Sequence, residues 1–307
     1  MKNTSKKGEI TSGTLIIIII AIVSLVAILI LFFNLNLGKV TDQEVCHYSV
    51  VARASAIAAN NLLKDTLPLN CKTQYVCITE DGNCGKLISP EIEKVKSKEE
   101  VYEALTTQLV DCWWMFGEGQ VDYLGKEVLK AGSLYCSLCS QVAFDDSLTS
   151  IEGLESGEID REDFFHYLSV EYKDEIEKIS YWNYLYGEST PEEISSAIKQ
   201  EDETYNLGKI NFNNRYYVVM GSISKIDWSV WKIASIGAAV GTIVGLATGP
   251  AGWAILAITA AGVSGGSAYI GQITEGELEQ QFLRPTIIEA NSKEFELLKC
   301  RDVNTIG

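Results

Sequence analysis

The residues with the clearest chemical potential in this chain are its cysteines. All eight lie beyond residue 45, so all of them follow the apolar N-terminal segment. An even number of cysteines in a domain outside the cytoplasm is typical of disulfide bonds. Because eight cysteines allow 105 connectivities, the spacing predicts bridges without fixing their pairing. The disulfide candidates are Cys46, Cys71, Cys77, Cys84, Cys112, Cys136, Cys139 and Cys300.

Catalysis or metal binding is the alternative interpretation of these cysteines. Cys136 and Cys139 form a C-x-x-C motif, which acts as a redox pair where a helix N-terminus lowers the thiol pKa. The residues on both sides of the motif favour a strand instead. A zinc site needs a second close pair of ligands, and His47 beside Cys46 is isolated. An extracytoplasmic thiol or metal enzyme is thus an alternative with no assigned catalytic residue, metal ligand or cofactor.

The overall charge limits the range of partners. The chain has 25 Lys and Arg against 41 Asp and Glu, so its formal net charge is −16. Proteins that bind nucleic acid by neutralising phosphates usually carry the opposite sign, which excludes nucleic acid as a partner. No Ser-His-Asp arrangement, paired-carboxylate spacing or phosphate-binding glycine motif stands out. The sequence therefore indicates no reaction.

A long apolar segment near the N-terminus predicts a membrane anchor. The segment from Leu15 to Phe33 has one polar residue, and as a helix it would be roughly 28 Å long, close to the ~30 Å hydrocarbon core of a bilayer. Three lysines against one acidic residue precede it, and such an excess favours the cytoplasmic side. We expect residues 1–14 in the cytoplasm, a transmembrane helix at 15–33, and the rest of the chain outside.

The residues before the apolar segment carry a family resemblance. Lys6-Lys7-Gly8-Glu9, followed by a short polar stretch and the apolar run, resembles the class III signal segment of archaeal type IV pilin-like proteins. The whole chain is similar to uncharacterised archaeal membrane-anchored proteins that carry such a segment and a Cys-rich outer domain. The resemblance implies cleavage after Gly8 and supplies no activity.

The chain outside the anchor is typical of an α+β domain because predicted helices and strands are mixed along it. This Cys-rich domain spans 34–227, and 273–307 returns to it. Ser97 followed by Glu100 predicts a capped helix start. The aromatic residues at the end of that helix are expected to seal the core, with a ligand platform as the alternative. Predicted helices span 39–64, 97–116, 161–186 and 191–200; predicted strands include 75–79 and 285–289, with a hairpin at 209–220.

A glycine-rich hydrophobic segment, 228–272, is inserted between these parts. Its residues 233–271 include no charged side chain, and glycines recur at every fourth position. Such small residues let two membrane helices approach closely. The pattern predicts a glycine-zipper helical hairpin in the bilayer, with burial in a soluble core or a subunit interface as the alternative. The helix-packing candidates are Gly237, Gly241, Gly245, Gly249, Gly262 and Gly266.

These expectations combine into one predicted function and two alternatives. The protein is expected to be a membrane-anchored extracytoplasmic structural or interaction protein. It would contact the lipid bilayer and assemble with itself or another membrane protein through the glycine-rich hairpin. A membrane-perturbing or pore-forming protein is the first alternative, since uncharged hairpins of this composition also occur in toxins. The thiol or metal enzyme is the second.

Overall fold

The computed structural model of the chain describes residues 20, 22–24, 41–59, 67–124, 134–174, 176–187, 190–193, 196, 207–224, 242–247, 254–259, 269–275, 280–292, 295–296, 298 and 300–302. Its contacts divide the chain into two units, Met1–Asp42 and Gln43–Gly307. In the first unit, residue 20 and residues 22–24 are helical, and Ser24 Oγ donates to the Ile20 carbonyl at 2.8 Å.

The anchor and the processing site stay predictions from the sequence. Most of 15–33, and Gly8 with all of 1–14, lie outside the described residues. Within the part of the chain that the structure describes, no helix is both long enough and apolar enough to cross a membrane.

Thirteen strands are described, and most of them belong to one mixed sheet. Numbered along the chain, they are β1 Gln74–Thr79, β2 Glu91–Lys94, β3 Leu134–Phe144, β4 Glu158–Asp160, β5 Tyr172–Asp174, β6 Ile179–Ser180, β7 Lys209–Asn211, β8 Arg215–Ser224, β9 Thr242–Ala247, β10 Ala254–Thr259, β11 Tyr269–Glu275, β12 Gln280–Glu289 and β13 Arg301–Asp302. The order in the main sheet is β2-β1-β3-β8-β12-β11-β10-β9, and β13 also pairs with β3. Two further pairs, β4-β7 and β5-β6, form small separate sheets.

The main sheet changes from parallel to antiparallel at β3. Strands β2 and β3 both run parallel to β1, while β8, β12, β11, β10 and β9 follow in antiparallel pairs. Parallel neighbours need a crossover, and the helix between β2 and β3 provides it. Strand β3 is buried over almost its whole length, as its position between β1 and β8 requires.

The described helices each bury one face. They are α1 Asp42–Ala58, α2 Lys98–Met115, α3 Arg161–Val170 and α4 Tyr181–Tyr186. On α2, Val101, Leu105 and Leu109 recur at every fourth position and are buried, which is the spacing of one helix face. Helix α2 packs against β3, β8 and β12 and against α3 and α4. The core therefore lies between the sheet and this helical layer.

Local sequence signals account for the start of α2. Ser97 is the N-cap and its hydroxyl accepts a hydrogen bond from the Glu100 N–H at 3.2 Å. The Glu100 carboxylate accepts the Lys96 N–H at 2.5 Å. The predicted capping box is confirmed, with its return bond one residue earlier than in the standard form. Thr190 and Glu193 form the reciprocal pair at the start of the predicted helix 191–200, at 3.2 and 3.0 Å.

The α+β fold class is confirmed, but two predicted elements are wrong. The predicted helix 161–186 is two helices separated by the β5-β6 hairpin, where Lys178 has a φ of 57° in the turn. The predicted hairpin at 209–220 has its two strands, but they do not pair with each other. Strand β7 pairs with β4 and β8 enters the main sheet, because a distant partner outcompetes the local turn.

The predicted glycine-zipper helices are also wrong where the structure describes them. Strands β9 and β10 form an antiparallel pair in which Gly245 lies opposite Leu256, and β11 follows β10 in the sheet. A spacing of four places residues on one face of a strand as well as of a helix, so the glycine pattern did not distinguish them. The β-branched residues between the glycines favour strands. The other five candidates, Gly237, Gly241, Gly249, Gly262 and Gly266, lie outside the described residues.

Candidate functional site

Four disulfide bonds connect all eight cysteines. Their Cα–Cα distances lie between 4.4 and 6.3 Å, within the range that a disulfide needs. No cysteine is free. The prediction of disulfide bonds is therefore confirmed, and the fold supplies the connectivity that the spacing left open. The pairs are Cys46–Cys71, Cys77–Cys84, Cys112–Cys139 and Cys136–Cys300.

Three of the bridges join separate elements of the chain, and the fourth closes a short loop. One connects α1 to the segment before β1, and another closes the loop that follows β1. The remaining two attach α2 and the segment before β13 to β3. Because β3 is central in the sheet, these two bonds fasten the helical layer and the C-terminal return to the same strand.

The C-x-x-C motif does not form a redox pair. Cys136 is bonded to Cys300 and Cys139 to Cys112, so each sulfur of the motif already has another partner. Both lie on β3, as the sequence context predicted, and not at a helix N-terminus. Thiols committed to disulfides do not ligate zinc either, and among the described residues no cluster of three or more His, Cys, Asp or Glu is arranged to hold a metal ion.

The aromatic cluster at the end of α2 serves the core, as the sequence predicted. Trp113 and Phe116 are buried, while the ring of Trp114 stacks on His47 of α1 with centroids 4.1 Å apart. His47 Nδ1 also lies 2.7 Å from the Trp114 carbonyl oxygen. The isolated histidine thus joins α1 to α2 through a stacking contact and a hydrogen bond.

Two arginines, the buried Arg161 and the partly buried Arg284, connect the helical layer to β12. Arg161 of α3 donates to the Ile287 carbonyl at 2.9 Å, and Arg284 of β12 donates to the Leu185 carbonyl of α4 at 2.5 Å. The Arg284 guanidinium also lies 5.1 Å from the centroid of the Trp113 ring. Burial lowers the pKa of Arg284 to about 10. Both arginines therefore have a structural role, since each donates to a backbone carbonyl of another element.

A groove with a volume of about 490 Å³ separates β2 from α2. One wall is the end of β2 and the residues after it, 93–96, and the other is a face of α2. The chain reverses direction at Ser97, so the helix runs back beside the strand. The helix wall consists of Glu100, Glu103, Ala104, Thr107 and Gln108.

Carboxylates dominate the charge of this groove. Glu93 is on the strand wall and Glu103 on the helix wall, and neither has a hydrogen bond or ion pair within the described residues. Burial and the nearby Glu91 raise the pKa of Glu93. The same two causes raise the pKa of Asp111, which lies about two turns beyond Glu103 on α2 and outside the groove lining. Burial is the larger cause in both cases, because it disfavours the charged form of a carboxyl group.

The lysines of the groove are directed elsewhere or lie at its end. Lys94 places its ammonium beside Gly82 in the neighbouring turn. Hydrogen bonds from Asn83 and Thr79 lower the pKa of Asp81 in that turn, and the Lys94 charge adds a smaller effect in the same direction. Lys96 is exposed at the point where the chain turns into α2. The middle of the groove, between Glu93 and Glu103, is therefore left acidic.

A buried amide is directed into the same groove. Gln108 is 7% exposed and lines the helix wall, yet its side chain has no hydrogen-bond partner among the described residues. Its amide atoms are not among the buried side-chain atoms that lack a partner, so they are open to solvent in the groove.

The strand wall is also the edge of the main sheet. Strand β2 pairs with β1 on one side, and no described strand pairs with its other side. The Val95 N–H donates to the Thr79 carbonyl of β1 at 3.0 Å. Because alternate residues of a strand direct their backbone groups to opposite edges, Ile92 and Lys94 present theirs outward. Ile92 is 39% exposed.

No family model, curated protein or solved structure matches this chain. The resemblance to archaeal pilin-like proteins consequently rests on the N-terminal residues alone and stays a prediction.

The groove is the functional candidate that sequence reasoning missed. Its signals are present in the sequence: Glu91 and Glu93 share one face of a strand, and Glu100, Glu103 and Thr107 share one face of a helix. Only the fold places the two faces opposite each other, since the chain must reverse at Ser97 to do so.

The membrane-perturbing alternative stays a prediction.

Proposed function

We propose that this protein is a membrane-anchored extracytoplasmic interaction protein whose bridged α+β domain binds partners. The observation that carries the proposal is the pairing of all eight cysteines into four disulfides. Disulfides persist in oxidising surroundings and are rare in the cytosol, where thiols are kept reduced. A domain fastened in this way belongs outside the cytoplasm.

The apolar segment 15–33 is the proposed membrane anchor. Its composition suits the hydrocarbon core of a bilayer, and the lysines before it favour a cytoplasmic N-terminus. The lipid bilayer is then the first partner, and the chain beyond the segment lies on the far side from the cytosol. A cell-membrane location with the bulk of the chain extracytoplasmic follows from these two features together.

A second copy of this chain, or another membrane protein, is the proposed partner at the opposite end of the sheet. Strand β9 ends the sheet, and no described strand pairs with its outer edge. Its residues, Thr242–Ala247, carry no charge. An uncharged edge strand with open backbone groups is a template for pairing with another strand. This mode of assembly replaces the helix packing that the glycine pattern suggested.

Two single-cysteine reporters test the proposed location. Ser12→Cys places a thiol between Gly8 and the apolar segment, and Glu152→Cys places one at an exposed position of the bridged domain. We expect a membrane-impermeant maleimide to label Glu152→Cys in intact cells and Ser12→Cys only after permeabilisation. The reverse pattern would refute the proposed orientation.

Disulfide mapping provides a measurement that does not depend on labelling. Protein isolated from native membranes under alkylating conditions should yield the four bridged peptide pairs by mass spectrometry without reductant. Recovery of eight alkylated cysteines would show a reducing environment and would overturn the proposal.

A further inference from the structure

We propose that the exposed outer face of α1 packs against the same face of α1 in a second copy of this chain. Two anchored copies would then be joined by a parallel pair of helices. The inference rests on the proposed membrane anchor, and it names a surface for self-association that is separate from strand β9.

The inner face of α1 is occupied by its own domain. Cys46, Val50 and Ala54 recur at every fourth position, which is the spacing of one helix face, and all three are buried. The Cys46–Cys71 disulfide also fastens this face to the segment before β1. The domain therefore fixes which side of α1 is directed outward.

The outer face is apolar, whereas the solvent face of a helix is usually charged. Between Val45 and Ala58 the one Lys, Arg, Asp or Glu is Arg53, and its Nη1 donates to the Leu67 carbonyl at 3.4 Å. Tyr48 is 62% exposed. In a chain with a net charge of −16, an exposed face of this length without charge indicates a contact surface. The outer face consists of Val45, Tyr48, Val51, Ala52, Ser55 and Ala58.

The spacing along this face suits a second helix. Val45, Tyr48, Ala52 and Ser55 follow one another at intervals of three, four and three residues, which is the spacing of the contact positions in a two-stranded coiled coil. In a parallel pair with two-fold symmetry, each of these residues lies beside its own counterpart. The face is thus complementary to itself.

The net charge of the chain favours this face for contact between copies. Every copy carries a charge of −16, so two copies repel each other through most of their surface. Contact between them needs a surface without carboxylates, and the outer face of α1 is such a surface. A partner selected by positive charge would find no carboxylate there.

The position of α1 in the chain favours a partner held in the same membrane. Residues 34–41 are the only link between the apolar segment and α1, and eight residues span at most about 29 Å when fully extended. Helices of 17 residues offer less contact than the roughly 800 Å² per partner of a specific interface, so tethering must raise their effective concentration. Two anchored copies meet this requirement, and their α1 helices begin on the same side of the bilayer.

Crosslinking through an added cysteine tests the helix pair in the full chain in its native membrane. All eight natural cysteines are bridged, so Ser55→Cys supplies the one free thiol. We expect a short bis-maleimide to produce a dimer that contains both of two coexpressed epitope tags. Glu152→Cys, which is exposed but does not lie on α1, is the control and should give no such dimer.

A charge on the outer face should prevent this crosslink. Tyr48→Glu, added to Ser55→Cys, should lower the dimer yield at least about fivefold, because two like charges would meet in an apolar contact. Tyr75→Glu is the matched control, since it makes the same change at an exposed tyrosine of β1. Equal yields with the two glutamate variants, or no dimer from Ser55→Cys itself, would overturn the proposal.

Two further results would show a different occupant of the face. An adduct of Ser55→Cys with another protein, without the dimer, would show that this protein covers α1. Quenching of a fluorophore on Ser55→Cys by spin-labelled lipid would show that the face lies on the bilayer. Either result refutes the helix pair.

Failure of the helix pair is distinguishable from failure of the proposed location. Labelling of Ser12→Cys and Glu152→Cys measures on which side of the membrane each residue lies, and it does not depend on contact between copies. The expected labelling without the residue 55 dimer would reject the helix pair and leave the proposed location intact.

Discussion

Cys136 and Cys139 lie three residues apart on β3, and their disulfides lead to different parts of the chain, one before β3 and the other after it. Cys139 is linked back to α2 through Cys112, whereas Cys136 is linked forward to Cys300, after 164 residues. Cys139 also falls at the irregularity between Leu138 and Ser140, where the pairing with β8 shifts by one residue. One short segment of a central strand therefore holds both the helical layer and the C-terminal return.

The disulfides should differ in their contribution to stability according to the loop that each closes. The Cys136–Cys300 bridge spans 164 residues and the Cys77–Cys84 bridge only 7. Loop-closure entropy gives about 5 kcal/mol for the long loop and about 2 kcal/mol for the short one. We expect the double serine variant of Cys136 and Cys300 to lose the larger free energy of unfolding. Chemical denaturation of both double variants measures this difference, and the opposite order would contradict it.

Gly119 should not tolerate a side chain. Its φ of +72° suits glycine, and a Cβ at this position would lie 2.7 Å from Cη2 of Trp113. We expect Gly119→Ala to lower the free energy of unfolding by about 2 kcal/mol. A residue with a Cβ is strained at this positive φ, and the added Cβ would clash with the buried Trp113 ring. Gly85→Ala is the matched control, since no atom lies within 4 Å of its added Cβ. Similar denaturation midpoints for the two variants would show that the Trp113 ring can move aside without loss of stability.

The folded domain should lose stability above pH 10. Burial and nearby carboxylates raise the pKa of Tyr167 to about 12, and burial raises the pKa of Tyr186 above its usual range. An unfolded tyrosine ionises near pH 10, so above that pH the folded state retains protons that the unfolded state has lost. The stability contributed by these groups is fully present below pH 10 and is lost as the pH rises through the folded-state values.

Denaturation at pH 9 and pH 11 measures this loss. We expect Tyr167→Phe to make the fall between the two pH values smaller, because the variant lacks one of the late-ionising groups. Tyr75→Phe is the control, since Tyr75 is 49% exposed on β1. A fall that is the same in both variants would leave Tyr167 without a role in the alkaline transition.

Self-association through β9 should be sensitive to proline at one of two adjacent positions. Val244 lies opposite Ala257 and Gly245 opposite Leu256 in the pair with β10. Adjacent residues direct their backbone groups to opposite edges, and proline lacks the N–H donor. Only one of the two residues has its N–H on the outer edge of β9. We therefore expect proline at that residue, in either Val244→Pro or Gly245→Pro, to reduce chemical crosslinking between copies without changing the denaturation midpoint. Full crosslinking in both variants would remove β9 as an interface.

Local signals predicted the elements whose partners are close in sequence. The N-cap at Ser97, the apolar face of α2 and the strand containing Cys77 all follow from the residues within a turn or two of them. The elements that failed depend on distant partners. Strand β7 pairs with β4 and not with β8, and Gly245 belongs to a strand because β10 and the sheet beyond it provide its hydrogen bonds.

The sequence by itself determined that the cysteines would be bridged, that helices and strands would mix, and that the protein would be strongly acidic. Number, type and local spacing of residues suffice for such properties. Only the tertiary structure decided which cysteines pair and that Glu93 faces Glu103 across a groove. Both depend on the sheet order and on the reversal of the chain at Ser97, because side chains from separate elements meet only after long-range strand pairing has brought those elements together.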